Sequence, residues 1–254
     1  VVEPMRIRDA RYRGRHWRFI AQSLNELNPQ LQPYGGTIQV VEGEAETLLR
    51  TLHQHLPIKQ LFSHAETGLS LTFDRDRRVM RFCTAEGIRW QEFQSNGVQR
   101  GRADRRGWNR AWHQVMGQPL ITTNLNRLRT LHQPLPEALM GAQTSRLAGW
   151  DAHKPEFQRG GTQAASSVLS SFLDERAQRY QMSISKPEAS RHHCSRLSPH
   201  LAWGNLSLRQ AYHALKHRQS EGQWGRALGA FESRLHWHCH FIQKFEMECR
   251  MECE

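Results

Sequence analysis

Between Cys194 and Ser207 the chain reads Cys-Ser-Arg-Leu-Ser-Pro-His-Leu-Ala-Trp-Gly-Asn-Leu-Ser. Ser198-Pro199 is a helix opening, with Ser capping free N–H groups and Pro at the first helical position, where it has no N–H to waste. With the Ser195 hydroxyl and Arg196 beside it, such an opening makes a receptive site for a phosphate. The plainer reading, that Ser-Pro only starts a helix, stays open on these residues alone. A second run, His236-Trp237-His238-Cys239-His240 with Cys249 and Cys253 beyond it, holds metal-ligating side chains. His236 and His240 lie four apart on one helical face, as do Cys249 and Cys253. The two pairs stand more than two turns apart on what reads as one helix, so a zinc site would need a kink or a second chain.

Other candidates are more scattered. Arg6, Arg8, Arg11, Arg13, Arg15 and Arg18 form either a nucleic-acid arm or a solvated loop and first helical turn. Trp108, Trp112 and Trp150 have the area to stack bases, although aromatics near a domain seam usually pack. His64 and Glu66 follow a strand end, where an open α/β sheet keeps its ligand crevice.

Composition bounds these readings. The chain has 254 residues, 38% hydrophobic and 23% charged, with 18 Gly and 10 Pro, which excludes a disordered or collagen-like polymer. No stretch approaches the ~18 apolar residues of a membrane span, and no signal core opens the chain. The net charge is +11 and the pI near 10.1, carried by 30 Arg against 5 Lys. That bias fits an anionic partner such as DNA and fits equally an Arg-favouring codon usage. Five unevenly spaced Cys do not form a disulfide framework, so a reducing compartment, the cytoplasm, is expected. The start lacks Met and the end stops inside a helical pattern, which reads as a fragment cut at both ends.

The elements that must position these residues follow from period. Phe19, Ser23, Leu24, Leu27 and Leu31 recur at helical spacing. Gly35-Gly36 breaks the pattern, and Thr37–Val41 reads as a buried strand. Leu48, Leu49 and Leu52 start a helix, Lys59–Ser63 a strand, Asp76–Glu86 a helix and Ile88–Trp90 a strand. Strands alternating with helices imply a doubly wound α/β domain with a parallel sheet. Residues 117–163, broken by Pro119, Pro134, Pro136 and Pro155, read as an inter-domain connector. Ala165, Val168, Leu169, Phe172, Leu173, Ala177 and Tyr180 then step by three and four. Ser207 and Gln210 make a capping box for a further helix. Leu228, Phe231, Leu235, His238, Ile242, Phe245 and Cys249 form the stripe of a third. The expected plan is an α/β domain over 1–116, the connector over 117–163, and the start of an all-helical domain over 164–254.

The run Ser195–Arg209 closely resembles the signature of the DNA photolyase/cryptochrome family. So do the preceding pattern of Gly160-Gly161, Ala165, Leu169, Phe172-Leu173, Arg176 and Tyr180, the stretch Phe231–His238, and, nearer the start, Arg18-Phe19, Ser23-Leu24 and Glu42-Gly43. The resemblance implies an α/β domain that holds a light-harvesting antenna of folate or deazaflavin type, and a helical domain that holds FAD. It implies a monomer whose reduced, excited flavin passes an electron to a pyrimidine dimer in damaged DNA, with no membrane involved. It makes Tyr180 a neighbour of the FAD phosphates and Cys194, Ser195, Arg196, Leu197 and Ser198 the loop that holds the pyrophosphate. Cys194 departs from the family's Thr and loses a hydroxyl donor. His238 stands where relatives carry Arg, Phe231 where a Trp stacks near the lesion, and Arg234 where dimer-specific enzymes carry Glu. These departures set a cryptochrome-like photoreceptor without repair beside the photolyase reading. A nucleic-acid or zinc-binding module without flavin is the third alternative. The resemblance also places the Arg6–Arg18 cluster away from the lesion, which favours solvation there.

Overall fold

In the computed structural model, residues 1–131, 134–142 and 154–252 are described. Trp150 and Cys253, singled out above, lie outside them. The chain forms two compact units, one of residues 1–93 with 122–160 and one of residues 94–121 with 161–254.

The first unit opens with a short helix α1 (Pro4–Arg8), led by Pro at its first position, and the longer α2 (Gly14–Leu31). The helical spacing from Phe19 to Leu31 is therefore realised in α2, which buries Trp17, Phe19, Ala21 and Gln22. Gly35 stops the following turn with φ 69°, a left-handed conformation that costs glycine little. Residues 37–41 run extended but half-exposed, and they differ from the buried strand expected there. The end of this stretch meets the start of the chain through a parallel bridge, Val2 to Glu42, and Pro4 turns that partner segment into α1 just past Val2.

Helix α3 (Ala45–His55) leads to β1 (Gln60–His64), then α4 (Ser70–Ala85), then β2 (Arg89–Phe93). The strands pair in parallel from Gln60 opposite Arg89 to His64 opposite Phe93, with α4 as the crossover. Helix α4 starts six residues before the expected Asp76, since Leu69 and Ser70 already begin its first turn. One sheet face delivers Leu61 and Trp90 to a core of Val79, Phe82, Cys83 and Ile88. The other leaves Phe62 and Phe93 exposed, their rings stacked 6.2 Å apart. The later part of the unit contains α6 (Glu137–Met140), whose Leu139 is buried. It ends at Gly160, whose N–H donates to Gln22 Oε1 at 2.8 Å.

The second unit is helical. It comprises α5 (Trp108–Met116), α7 (Thr162–Asp174), a 3-10 turn (Arg176–Arg179), α8 (Tyr180–Ser183), α9 (Pro187–His193), α10 (Ser198–Ala202), α11 (Leu208–Ser220) and α12 (Gly225–Met247). The stripe from Ala165 to Tyr180 is buried except for Val168, but it is carried by α7, the turn and α8 in succession. The Ser207–Gln210 capping box is present in both directions, at 2.8 and 3.1 Å. On α12 the buried stripe runs through Leu228, Phe231, Leu235, Cys239 and Gln243. Beyond Leu235 it has shifted by one residue from the expected His238 and Ile242, and Cys249 falls in an exposed 3-10 turn after the helix. Trp108, Trp112 and Met116 of α5 join this core at 1% exposure or less, which makes both tryptophans packing residues. No described helix is long and apolar enough to cross a membrane.

Candidate phosphate cradle of the helical unit

The site is built from the joint between α7 and α8. Asp174 ends α7, and the tight turn that follows aims Arg176 back along the helix. Its guanidinium donates to the Val168 carbonyl at 2.8 Å, to Ser171 Oγ at 3.2 Å and to the Cys194 carbonyl. One arginine thus ties the end of α7 to the Cys194–Ser198 loop, and its carbon lies 5.5 Å from the Phe172 ring centroid. Burial, then the neighbouring Arg196 charge, pulls the Arg176 pKa down from its usual value.

The loop itself carries backbone strain. Arg196 has φ 62°, and Leu197 follows at φ −83° and ψ −14°. A left-handed residue other than glycine is uncommon and is held only by its surroundings. Here the Leu197 side chain, 1% exposed, anchors the loop in the core. Alternation of hand turns successive N–H groups toward one side, the geometry of backbone anion sites. This turn also corrects the expected helix cap. Leu197 occupies the capping position, with Ser198 and Pro199 as the first and second helical residues, and no side chain caps α10. The Ser198 hydroxyl is therefore exposed and unspent on the helix, and neither it nor the half-buried Ser195 hydroxyl has a protein partner among the described residues.

Tyr180 closes the site from below. It is 5% exposed, with its ring 5.3 Å from Phe172 and 5.9 Å from Phe231. Burial, with Cys194 adding to it and Arg234 opposing, pushes its pKa up to about 12. The Cys194 thiol is also pushed up by burial, against the pull of Arg176, Arg196 and Arg234. Three arginines from three elements thus act on one cysteine and give the surroundings of the loop positive character.

The other implied residues divide. Phe231, 2% exposed, packs on Phe172 at 4.6 Å and has no free face to stack on anything outside. Arg234 is exposed on α12, its guanidinium 4.4 Å from the Trp237 ring centroid. His238 is half-buried one turn further on, its Nδ1 buried without a hydrogen-bond partner, and burial lowers its pKa. Arg176 was legible as part of the apolar pattern but not as the residue that organises the loop. The signal was its position four residues after Phe172, an arginine inside an otherwise apolar stripe.

The remaining candidates have other employment. His236 Nε2 lies 3.1 Å from Asn109 Oδ1, and His240 Nε2 lies 3.0 Å from an Arg105 nitrogen. Among the described residues no group of three His, Cys, Asp or Glu side chains is placed to hold a metal ion. Glu66 accepts from the Thr67 and Gly68 N–H groups at 3.0 and 2.6 Å and from Arg75 at 3.0 Å, so its oxygens are spent on its own loop. His64 lies beside Phe93 at the carboxyl end of β1. At the opposite, amino end of that strand opens a cavity of about 640 Å³, lined by Leu31, Leu52, Leu56, Ile58, Lys59 and Leu131 among others.

The chain thus combines an α/β unit holding a parallel βαβ pair with a helical unit holding a strained loop flanked by arginines. Residues 1–100 match the family model described as DNA photolyase. The fold of the chain matches the archaeal photolyase of Sulfolobus tokodaii, crystallised with two FAD molecules, over 96% of this chain and 52% of that one, at 19% identity and a TM-score of 0.65. A bacterial class III photolyase from Agrobacterium tumefaciens matches over 93% and 51%, at 19% identity and 0.66. A Synechocystis cryptochrome matches over 97% and 55%, at 17% identity and 0.72. No curated protein matches the chain. Residues 1–100 thus match the photolyase family model, and the chain as a whole shares the fold of photolyases and a cryptochrome. It spans about half the length of these solved structures.

Proposed function

We propose that the chain is the cofactor-cradling part of a deoxyribodipyrimidine photolyase, a carbon–carbon lyase that repairs pyrimidine dimers in DNA with light and reduced FAD. The observation that carries this is the Cys194–Ser198 loop, strained at Arg196, tied down by Arg176 and surrounded by arginines with two unspent hydroxyls. These residues fit a pyrophosphate. When bound, FAD supplies a light-excited electron donor that splits the dimer. The chain's own residues hold the phosphate end. The Ser195 and Ser198 hydroxyls and the loop N–H groups would donate to phosphate oxygens, and Arg196 and Arg234 would offset their charge. The Tyr180, Phe172 and Phe231 cluster keeps water from the floor of the site. The protein acts as a monomer on damaged DNA in the cytoplasm. The net charge of +11 matches a polyanionic partner.

A second reading, a photoreceptor of the cryptochrome kind without repair, draws on Phe231 and Arg234. The first is sealed in the core and the second is a cation where dimer repair relies on a carboxylate. Titration of the purified chain with FAD, followed by flavin fluorescence, tests the shared part of both. Saturable binding that weakens in Ser195→Ala and Arg196→Ala supports the cradle, and binding that ignores both variants removes it. Light-dependent loss of dimers from irradiated DNA then separates repair from photoreception.

A further inference from the structure

Six arginines crowd the corner where α1 turns into α2. Arg6 and Arg8 end α1, Arg11 and Arg13 lie in the turn, and Arg15 and Arg18 open α2. Against them, residues 4–18 hold one carboxylate, Asp9, and it is spent on Arg11 through contacts of 2.9 and 2.8 Å. Arg6 is turned onto Tyr12, at 2.9 Å from its hydroxyl and 5.3 Å from its ring centroid. Nearby Glu3 is buried and bound to Arg75 at 3.0 Å. Arg8, Arg13 and Arg15 remain exposed, with no acidic partner among the described residues.

The arginines of α3 and α4, Arg81 apart, are instead paired with acids. On α3 and α4, Arg50 meets Glu46 and Glu86, Arg75 meets three carboxylates, Arg77 meets Asp74 and Arg78 meets Glu44. Nor is the corner a loose tail. Trp17 and Ala21 of α2 pack with Val2, Ile7 and Tyr12, which fixes α1 and the start of α2 in one cluster. The first turn of α2 carries no acid, so the positive helix end sits under positive side chains. A dense, rigid, uncompensated array of one sign is unfavourable in the isolated chain and is relieved by a bound polyanion.

We propose that Arg8, Arg13 and Arg15 form a contact for the phosphate backbone of duplex DNA, separate from the cofactor cradle. The proposal rests on the reading of DNA as the partner. Guanidinium forks match phosphate oxygens and read no base, so the corner raises affinity for damaged and undamaged duplex alike.

The test is an anisotropy titration of the chain against a labelled, undamaged duplex across a salt series. Three proteins are compared: wild type, R8Q/R13Q/R15Q, and R77Q/R78Q/R81Q, which removes the same formal charge from α4. The corner predicts that the slope of log K against log salt falls by roughly 2 to 3 in the first variant and by less than about 1 in the second. Thermal unfolding and FAD titration stay as in wild type. Equal losses in the two variants would reduce the effect to net charge and overturn the contact, as would an unmoved slope in the first. A wild type that binds no duplex would take down the DNA partner and the corner together, while wild-type binding with an unmoved triple variant sinks the corner alone. If R8Q/R13Q/R15Q instead loses binding to phosphatidylserine vesicles while its DNA slope stands, the surface faces a membrane and the proposal is wrong.

Discussion

Gln243 and Gln99, 144 residues apart in sequence, exchange two hydrogen bonds. The Gln99 N–H donates to Gln243 Oε1 at 2.7 Å, and Gln243 Nε2 donates to the Gln99 carbonyl at 2.9 Å. Gln243 is fully buried, so its amide stands in for a strand partner to the Gln99 backbone. Gln243→Leu leaves both backbone groups without that partner and is expected to cost about 2–4 kcal/mol. Urea denaturation measures it, and a loss below about 1 kcal/mol would mean water replaces the amide at little cost.

The neighbouring Gly97 makes a second prediction. Its carbonyl accepts from Trp108 Nε1 at 3.0 Å and its N–H points to Cys239 Sγ at 3.4 Å. A Cβ built there would stand 2.2 Å from Trp112 Cδ1. Trp112 is fully buried and has nowhere to retreat. Gly97→Ala is expected to destabilise the helical unit by about 3 kcal/mol and to alter the near-ultraviolet circular dichroism of the tryptophans. A variant with unchanged melting would show that the indole can shift freely.

What was legible in the sequence was whatever a local period or turn residue determines. The α2 stripe and the Ser207 capping box come from spacing within a dozen residues, and the parallel β1–β2 pair from strand and helix patterns alternating over about thirty. What was hidden depends on distant partners. Whether Thr37–Val41 forms a ladder depends on how far the segment around Val2 stays extended, and Pro4 ends that at once. The drift of the α12 stripe onto Cys239 and Gln243 comes from Gly97 and Gln99, which lie far away in the chain. The cradle was half visible. Its loop residues could be named from their run of types, but the left-handed Arg196 and the fork of Arg176 only exist once α7 has stopped at Asp174.

Tyr180 gives a test in alkaline solution. Its folded pKa of about 12 lies well above that of a free tyrosine, so the folded chain holds the phenol proton more tightly than the unfolded chain. The associated stability is intact below pH 10 and drains as pH rises toward 12, by something on the order of 2 kcal/mol. The stability difference between wild type and Tyr180→Phe should therefore shrink across that interval in chemical denaturation run at a series of pH values. A difference that stays constant to pH 12 would place the phenol in contact with solvent.

Arg176 separates charge from geometry in the cradle. Its three bonds reach Val168, Ser171 and Cys194 in directions set by a planar fork, which an ammonium cannot reproduce. Arg176→Lys keeps the positive charge near the Cys194–Ser198 loop but frees the loop from α7. Each lost charge-assisted bond is worth about 1.5–3 kcal/mol, so FAD affinity is expected to fall roughly tenfold or more in Arg176→Lys and further in Arg176→Ala. The melting temperature distinguishes the causes, because a lysine variant that folds stably yet binds weakly has lost loop position alone. If Arg176→Lys binds FAD as wild type does, the loop is held by Leu197 and its own backbone, and Arg176 contributes only its charge.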